Sequence, residues 1–587
     1  MTRRWRIVPH DQTRVQGLAQ TAAVPPVVAQ LLVSRGVYTP QAASEFLETR
    51  LSQLRDPLEL PGVRAAVPII MSAIADGRPI VIYGDYDCDG MTSCAILVRC
   101  LRLLGGKVSY HVPNRLEDGY GLNEQAIRDV ASRGCNLIIT VDCGINAIAC
   151  AELCRELDVE LIITDHHVCQ PDLPDAAAIV HPRLPGTSYP FGELCGAGVA
   201  FKLSWALCQQ AAGAKKVTPP MRKFLMQAIG LAAIGTVADV VPLLDENRIL
   251  VRHGLKTLKA DPPCGLAELM RVLKLDQVDE LTTESIGFAI GPRLNAAGRL
   301  GQAQLGVELM TIEDPVRAKQ LAEYINELNG SRESLQRSVQ IAAQKQANER
   351  FNVDEDAALV LAGVGWHPGV IGVVAGRLAD KYARPVIIIS QDAAGRGEAV
   401  GSGRVGGTGV NLHEALSECE HHLVRFGGHA AAAGLTIDEK RIDAFREEFC
   451  QAVAQQWDEK EIVPEIRIDA ETSLGQLNLN LVSQIETLAP FGAGNPRPVL
   501  CCRGVTLDEE ASTMGAGDRH LRVRFAHGDK VFRAVAFGAA SWVKELNETT
   551  EPIEIAYRPI INDWNGMRKV EIHLVDWRVS HSEATVS

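Results

Sequence analysis

The chain has 587 residues, 46% of them hydrophobic and 22% charged, with a formal net charge of −13. At roughly 150 residues per domain this is a multi-domain globular protein, which excludes a disordered chain and a disulfide-stapled miniprotein. The acidic balance argues against a histone-like coat for nucleic acid, while leaving room for a local basic groove beside an acidic site. No stretch approaches the ~18 uncharged apolar residues of a transmembrane helix. Met1 to Gln12 alternates charged with apolar residues and holds no signal-peptide run. Fifteen cysteines without a CxxC pair read as free thiols of a reducing compartment. The expectation is a cytoplasmic protein with no membrane segment.

Residues 1–66 read as a polar helical segment with a break at Pro25-Pro26. From Pro79 onward, short apolar runs alternate with helical stretches. Pro79–Tyr83, Val108–Pro113, Asn136–Val141 and Glu160–Thr164 read as strands, with helices over Met91–Leu104, Asn123–Arg133 and Ile145–Leu157. This βαβ alternation implies a mostly parallel sheet covered on both faces, in an α/β domain of residues 67–312. Residues 313–351, rich in Gln, Glu, Ala and Arg, suit a long connecting helix, with turn residues only at Asn329-Gly330-Ser331. A second, smaller α/β domain is expected over 352–458, from the strand Ala357–Ala362 to the closing helix Arg441–Trp457. Residues 459–587 hold five short strands, which fit a small β-barrel such as an OB-fold. From Gly515 to Ser580 ten Lys/Arg face nine Asp/Glu, so this segment escapes the overall acidity, and it holds Trp542, Trp564 and Trp577. Those tryptophans, with Arg522, Arg524, Arg568 and Lys569, are candidates for stacking and phosphate contacts on a single strand.

The strongest local pattern is Asp85-Tyr86-Asp87-Cys88-Asp89-Gly90, directly after the first apolar strand. An EF-hand calcium loop shares the D-x-D-x-D-G start. Its twelfth position needs a bidentate Glu where this chain has Ile96, and it follows a helix rather than a strand. Carboxylates at the carboxyl end of a parallel strand stand instead where open α/β sheets bind ligands. The same edge collects Asp142 after one strand and Asp165-His166-His167 after another, and Asp239 falls in the apolar run Ile234–Pro242. Any one of these alone reads most simply as a cap or a strand-end turn. Together they repel, by roughly 4 kcal/mol for a pair about 4 Å apart at an effective dielectric near 20. A domain's whole stability is typically about 5–15 kcal/mol. Divalent metal is the natural remedy, and carboxylates with imidazoles and no required thiolate favour manganese or magnesium. The donors exceed one ion's needs, so two ions and an in-line phosphoryl displacement follow. Removing a single crowded acid, as in Asp87→Ala or Asp165→Ala, is expected to abolish hydrolysis with little loss of fold.

At this point the residues carry a resemblance. In order, spacing and placement, Asp85 to Gly90, Asp142, Asp165-His166-His167 and Asp239 resemble the four motifs of the DHH phosphoesterase family. Trp366-His367-Pro368-Gly369-Val370-Ile371-Gly372, Ser402-Gly403-Arg404 and Arg425-Phe426-Gly427-Gly428-His429-Ala430 resemble the companion DHHA1 domain. Gly291 to Leu300 and Pro490 to Pro496 are similar to segments of the single-strand-specific bacterial exonucleases of that family. The resemblance runs from about residue 50 to the C-terminus. One departure is Val405, where a further Ser is expected after Arg404.

The resemblance implies a DHH domain, a connecting helix, a DHHA1 domain and an OB-fold. It further implies a 5′→3′ exonuclease on single-stranded DNA that releases 5′-mononucleotides with two Mn2+ or Mg2+ ions, in recombination and repair. Asp85, Asp87, Asp89, Asp142, His166, His167 and Asp239 would supply metal ligands. Asp87, Asp165, His166 and His167 would be the catalytic set, with Asp165 orienting a histidine. Which of His166 and His167 binds metal and which meets the scissile phosphate stays open. Arg115, with Ser402 and Arg404 in a glycine-rich loop, would hold a 5′-phosphate. Arg293 and Arg299, in a Gly- and Ala-rich segment whose small residues let a backbone approach closely, and His429 would contact DNA. A monomer is expected, with single-strand-binding protein as a partner. Two alternatives compete: a DHH hydrolase of short oligonucleotides or cyclic dinucleotides, and a non-catalytic replication scaffold. The first has no use for a C-terminal barrel, and the second should have lost motif acids that are all present here.

Overall fold

The computed structural model describes residues 3–114, 121–352, 355–392, 397–456, 465–564 and 567–580. The chain divides into two compact units: residues 55–241 with 253–462, and residues 1–54 with 242–252 and 463–587.

The chain opens with a strand where only helix was expected. In β1 (Arg4–Ile7) charged and apolar residues alternate, the period of a half-buried strand, and it pairs in parallel with residues 465–468.

In the larger unit, β2 (Pro79–Gly84), β3 (Lys107–His111), β4 (Leu137–Val141), β5 (Glu160–Thr164) and β6 (Ala178–Val180) form an all-parallel sheet. Its order is β3-β2-β4-β5-β6. Strands β2 and β4 are buried almost throughout, as a sheet covered by helices on both faces requires. The order reverses at β2, whose neighbours are β3 on one side and β4 on the other. Loops leaving the carboxyl ends of β2 and β4 therefore diverge and open a crevice. The helix Cys88–Leu103 leaves β2 and packs against the helices Gly196–Ala212 and Pro219–Ala238. Asp239 caps the last of these at its carboxyl end, so it reaches the crevice from a helix and not from the sheet edge. The run before it is apolar all round because that helix is buried on nearly every side, and periodicity does not separate such a helix from a buried strand.

The connecting helix, Pro315–Arg350, runs unbroken for 36 residues, about 54 Å at 1.5 Å per residue. Its turn-prone centre stays helical because Asn329 is buried and bonded along the helix, donating to Glu333 and accepting from Arg332, each at 2.8 Å. Beyond it lies a mixed sheet of β7 (Leu359–Val364), β8 (Val386–Gln391), β9 (Glu398–Arg404), β10 (Leu423–Gly428) and β11 (Ala432–Asp438), in the order β10-β11-β9-β8-β7. Only β7 and β8 are parallel. Ser402 and Arg404, expected in a glycine-rich loop, end strand β9 instead. Alternate residues share a strand face, so the buried Gly401 and Gly403 turn Ser402 and Arg404 together to the other side.

The smaller unit continues with β12 (Glu465–Ile468), β13 (Ala470–Glu471), β14 (Leu500–Met514), β15 (His520–His527), β16 (Lys530–Ala536), β17 (Ile553–Trp564) and β18 (Met567–Val579). The path β14-β15-β16-β18-β17 closes through β14 and β17, giving a five-stranded barrel. The N-terminal helices belong to it: Leu18, Val28, Leu31 and Leu32 share one core with Leu474, Val505, Phe525 and Tyr557. Among the described residues no single helix is long and apolar enough to cross a membrane.

Trp5 fastens β1 to the barrel. It is buried, donates from Nε1 to Asp576 Oδ2 at 2.8 Å, and lies under the Arg578 guanidinium at 4.4 Å. Trp5→Ala is expected to destabilise the smaller unit by about 3 kcal/mol, the low end for truncating a large aromatic side chain. Calorimetry should resolve this as one transition moving down; an unmoved profile would show that β1 contributes nothing to the barrel.

Candidate metal centre

The strand-end acids converge at the switch point of the parallel sheet. Asp85, buried, and Asp87, half-buried, lie in the turn that leads from β2 into the helix Cys88–Leu103, and the buried Asp89 lies in the first turn of that helix. Asp87 caps that helix, its Oδ1 accepting the N–H of Gly90 at 3.0 Å. Asp89 faces the amino end of the helix Gly196–Ala212, where the N–H groups of Gly196 and Ala197 donate to its oxygens at 2.6 and 2.9 Å. A helix amino terminus favours a negative charge. Even so, burial and then Asp87 push the Asp89 carboxyl up to about 6.

Asp142 follows β4 in the left-handed backbone region, with φ at 61°. Gly196 leaves it room, since a Cβ there would stand 2.7 Å from the Asp142 Cβ. Burial, followed by Asp89, Asp87, Asp85 and Asp165, raises the Asp142 carboxyl well above the usual range. Asp239 is pushed up to about 7, by burial and by Asp89.

His166 stands among these acids. Its Nε2 lies 3.1 Å from Asp142 Oδ1, 3.7 Å from Asp239 Oδ2 and 3.8 Å from Asp89 Oδ2. Burial lowers the pKa of its ring, against the pull of Asp239. Despite the 3.1 Å separation, His166 Nε2 and Asp142 Oδ1 are misaligned for a hydrogen bond, and both are buried with no such partner. Buried polar atoms of this kind call for a ligand. Three donor sets overlap here: Asp85, Asp87 and Asp142; Asp89, His166 and Asp239; and Asp142, His166 and His167. Within each set the ligand atoms lie within 4.8 Å of one another. Asp142 and His166 each belong to two sets. The nearby thiols of Cys88, Cys143 and Cys195 are held protonated, chiefly by burial. Carboxylate and imidazole without thiolate suit hard divalent ions, whose charge the crowded acids lack.

Asp165 is different. Its Oδ2 accepts the N–H of Ile145 at 3.0 Å. Its Oδ1 accepts the N–H groups of His166 and His167 at 2.7 and 3.1 Å, and His167 Nδ1 at 2.7 Å. Burial alone would raise its carboxyl, but these bonds, that of His167 first, hold it at about 2. In return Asp165 lifts His167 to about 9 against the effect of burial.

Several supports carry no acidic signature and went unread in the sequence. His181 Nε2 bonds the His167 carbonyl at 2.8 Å, and Arg183 donates to the His166 carbonyl at 2.8 Å, so the two histidines are held from behind. Asn295 accepts the Cys88 N–H at 2.9 Å. At Gly298 a Cβ would lie 2.0 Å from the Tyr86 carbonyl oxygen, so the helix Gly291–Arg299 sits directly on the acidic turn. The close backbone approach expected of that small-residue segment is thus made to the acidic turn.

The other expected residues fall around this centre. Arg115 lies outside the described residues. Arg293 donates to the carbonyls of Phe288 and Ala289, both at 3.3 Å. Arg299 reaches the Gly369 carbonyl at 3.4 Å, at the start of the helix Pro368–Tyr382 in the second α/β domain. Arg404 donates to Ser402 Oγ at 3.0 Å, beside Gly372 of that same helix. His429 is exposed between β10 and β11. In the barrel Trp542 and Trp577 pack against the core, and Arg524 pairs with Asp508 and Glu509 at 3.2 and 3.5 Å. The side chain of Trp564 lies outside the described residues. Among the described residues the barrel exposes Phe537, 64% accessible and edge-on to His520 and His573 at 5.4 and 5.3 Å. No local pattern marked it.

A parallel sheet with an acid-and-imidazole crater at its switch point, joined by one helix to a second α/β domain, defines a metal-dependent phosphoesterase of the DHH type. The model for the DHH family, N-terminal domain, matches residues 79–236, the DHHA1 domain residues 355–455, and the RecJ OB domain residues 468–576. The single-stranded-DNA-specific exonuclease RecJ of Bacillus subtilis is 38% identical over 98% of this chain and 71% of its own length. Its namesake from Escherichia coli is 34% identical over 94% of this chain and 95% of its own. The crystal structure of RecJ from Thermus thermophilus in complex with Mn2+ aligns with a TM-score of 0.79, at 30% identity, over 99% of this chain and 80% of that one. The same protein in complex with Mg2+ aligns with a TM-score of 0.74. The chain belongs to the RecJ family.

The acids should separate by stability once metal is chelated. A carboxyl whose folded pKa is raised contributes stability below its unfolded value near 4, and that contribution is lost as pH rises. Asp142→Asn is therefore expected to raise the melting temperature in EDTA, with the gain growing from pH 5 to pH 8. Asp165, held low, contributes above pH 4 and loses that contribution only as pH falls through about 2. Asp165→Asn should thus cost about 2 kcal/mol across the same range. This separates Asp165 from the acids that can be removed with little loss of fold. Equal losses for the two variants, read by thermal melts at both pH values, would show that crowding carries no energetic penalty.

Proposed function

We propose that the chain is a single-stranded-DNA-specific exonuclease that digests from the 5′ end with two divalent ions, Mn2+ or Mg2+. One observation carries the reading: three donor sets linked through Asp142 and His166, at the switch point of a chain similar throughout its length to proteins named as such exonucleases. Asp85, Asp87, Asp89, Asp142, His166 and Asp239 would hold the ions. When bound, these offset the crowded charge, polarise the phosphate and supply a nucleophilic water at neutral pH.

The chain's own groups do the rest. His166, its basicity lowered by burial, suits a neutral ligand. Asp165 raises the basicity of His167, to about 9 in the metal-free chain, and fixes its Nδ1, so its other ring nitrogen suits a phosphate oxygen or the leaving oxygen. Asp165 acts through His167, setting the tautomer and angle of the ring. Arg404 and Ser402, turned together on β9 in the second α/β domain, suit the 5′-terminal phosphate, because a guanidinium can bind its oxygens in pairs. Phe537 offers the barrel a face for an unpaired base. The proposed setting is the cytoplasm, in recombination and repair, with single-strand-binding protein as a partner.

Two measurements test this. The chain with Mn2+ should release mononucleotides from a long single strand and leave a blunt duplex and a dinucleotide almost untouched, and Asp142→Asn should retain less than a hundredth of the rate. Comparable turnover of the dinucleotide would favour a small-substrate hydrolase.

For polarity, Arg404→Ala should slow digestion of 5′-phosphorylated strands about tenfold more than that of 5′-hydroxyl strands. Equal slowing would move Arg404 to another part of the strand, and digestion from the 3′ end would overturn the direction.

A further inference from the structure

Among the described residues Phe288 is the most exposed large hydrophobic side chain, at 79%. It stands on a π-helical turn, Ser285–Ile290, a rare geometry found mostly where function needs it. The turn is braced, since Arg293 donates to the carbonyls of Phe288 and Ala289. An aromatic ring held out into water on a pinned backbone is not a loose surface residue.

Val240, itself 71% exposed, lines one cleft of about 380 Å³ together with Phe288. Val240 has φ at 60°, a conformation that penalises a β-branched residue and that persists only where the surroundings impose it. It directly follows Asp239 in the chain. The same cleft is lined by Asn295, which bonds the Cys88 N–H of the acidic turn, and by Arg299. The cleft therefore adjoins the metal centre along two separate paths, one through Asp239 and one through Cys88. It offers apolar walls with a few polar groups, in the size range of small-molecule sites.

Resting on the exonuclease reading above, we propose that Phe288, in the cleft it shares with Val240, is a stacking platform for one base of the strand whose backbone lies at the metal centre. A nucleobase is the occupant that matches an exposed aromatic ring in an apolar cleft continuous with the proposed phosphate-handling site. Every base has a π-face, so the platform orders the strand without reading its sequence. Phe288 is a positioning residue: it fixes the register of the backbone, while the acids and His167 meet the phosphate.

The test uses the full chain with Mn2+ and oligothymidylate strands that carry a single abasic residue, stepped through the first five positions. In the unmodified chain one register of the abasic residue should slow digestion about tenfold, the effect of losing a single stack. Phe288→Ala should melt at the same temperature, since the ring is exposed. It should digest the plain strand about tenfold more slowly and show no extra pause at that register. Phe288→Tyr should restore both the rate and the pause. A Phe288→Ala variant with the same pause, or one as fast as the unmodified chain, overturns the platform while leaving the exonuclease reading intact. Failure of the unmodified chain to digest single strands at all removes that reading and this one together.

Discussion

Buried carboxylates at the ends of β2 and β4 repel one another, and the surrounding structure is arranged around that repulsion. The low dielectric that makes the crowd costly without metal also makes each cation strongly held once it arrives. Local partners relieve only part of the strain. Asp89 has a helix amino terminus and Asp165 has four N–H donors, yet Asp142 and Asp239 keep raised carboxyls. The incomplete relief is consistent with a site built for charge that comes from outside the chain. Glycine at 196 and 298 follows from the same arrangement, because the acidic turn and Asp142 are approached more closely than any side chain allows.

The two histidines show how one short sequence yields two chemistries. His166 and His167 are neighbours with ring centroids 4.5 Å apart, but one ring loses basicity to burial while the other gains a carboxylate partner. The difference comes from the direction each side chain takes off a loop held by Ile145, His181 and Arg183. An acid paired to His167 from beneath raises that ring's basicity, beside a centre where the acids would otherwise dominate.

Much of this was legible in the sequence where signals are local. The strand-end acids, the βαβ rhythm, the long helix and the barrel strands all follow from patterns of a few residues. Elements set by tertiary context were misread. Asp239 was placed on a sheet edge because a helix buried all round looks like a buried strand. Ser402 and Arg404 were placed in a loop because glycines at 401 and 403 suggest turns, whereas here they let β9 lie against Leu435 and Leu412. Arg4 to Ile7 carried a visible alternation, yet its partner lies more than four hundred residues away and nothing local announces it. Phe288 escaped notice for the opposite reason, since a single aromatic in a run of small residues has no periodicity, and its exposure exists only once the turn has formed.

The joining of the chain's first fifty residues to its last hundred and twenty has a consequence for synthesis. The larger unit has all of its residues by the time residue 462 is made, but the N-terminal helices wait for a barrel made last. At about 5–20 residues per second the wait is roughly 25 to 110 s. Throughout it Leu31, Leu32 and Val28, fully or almost fully buried in the finished protein, have no core to enter. The growing chain therefore carries an apolar segment within its first fifty residues that a chaperone could shield, and the β1 strand waits for a pairing partner made more than four hundred residues after it.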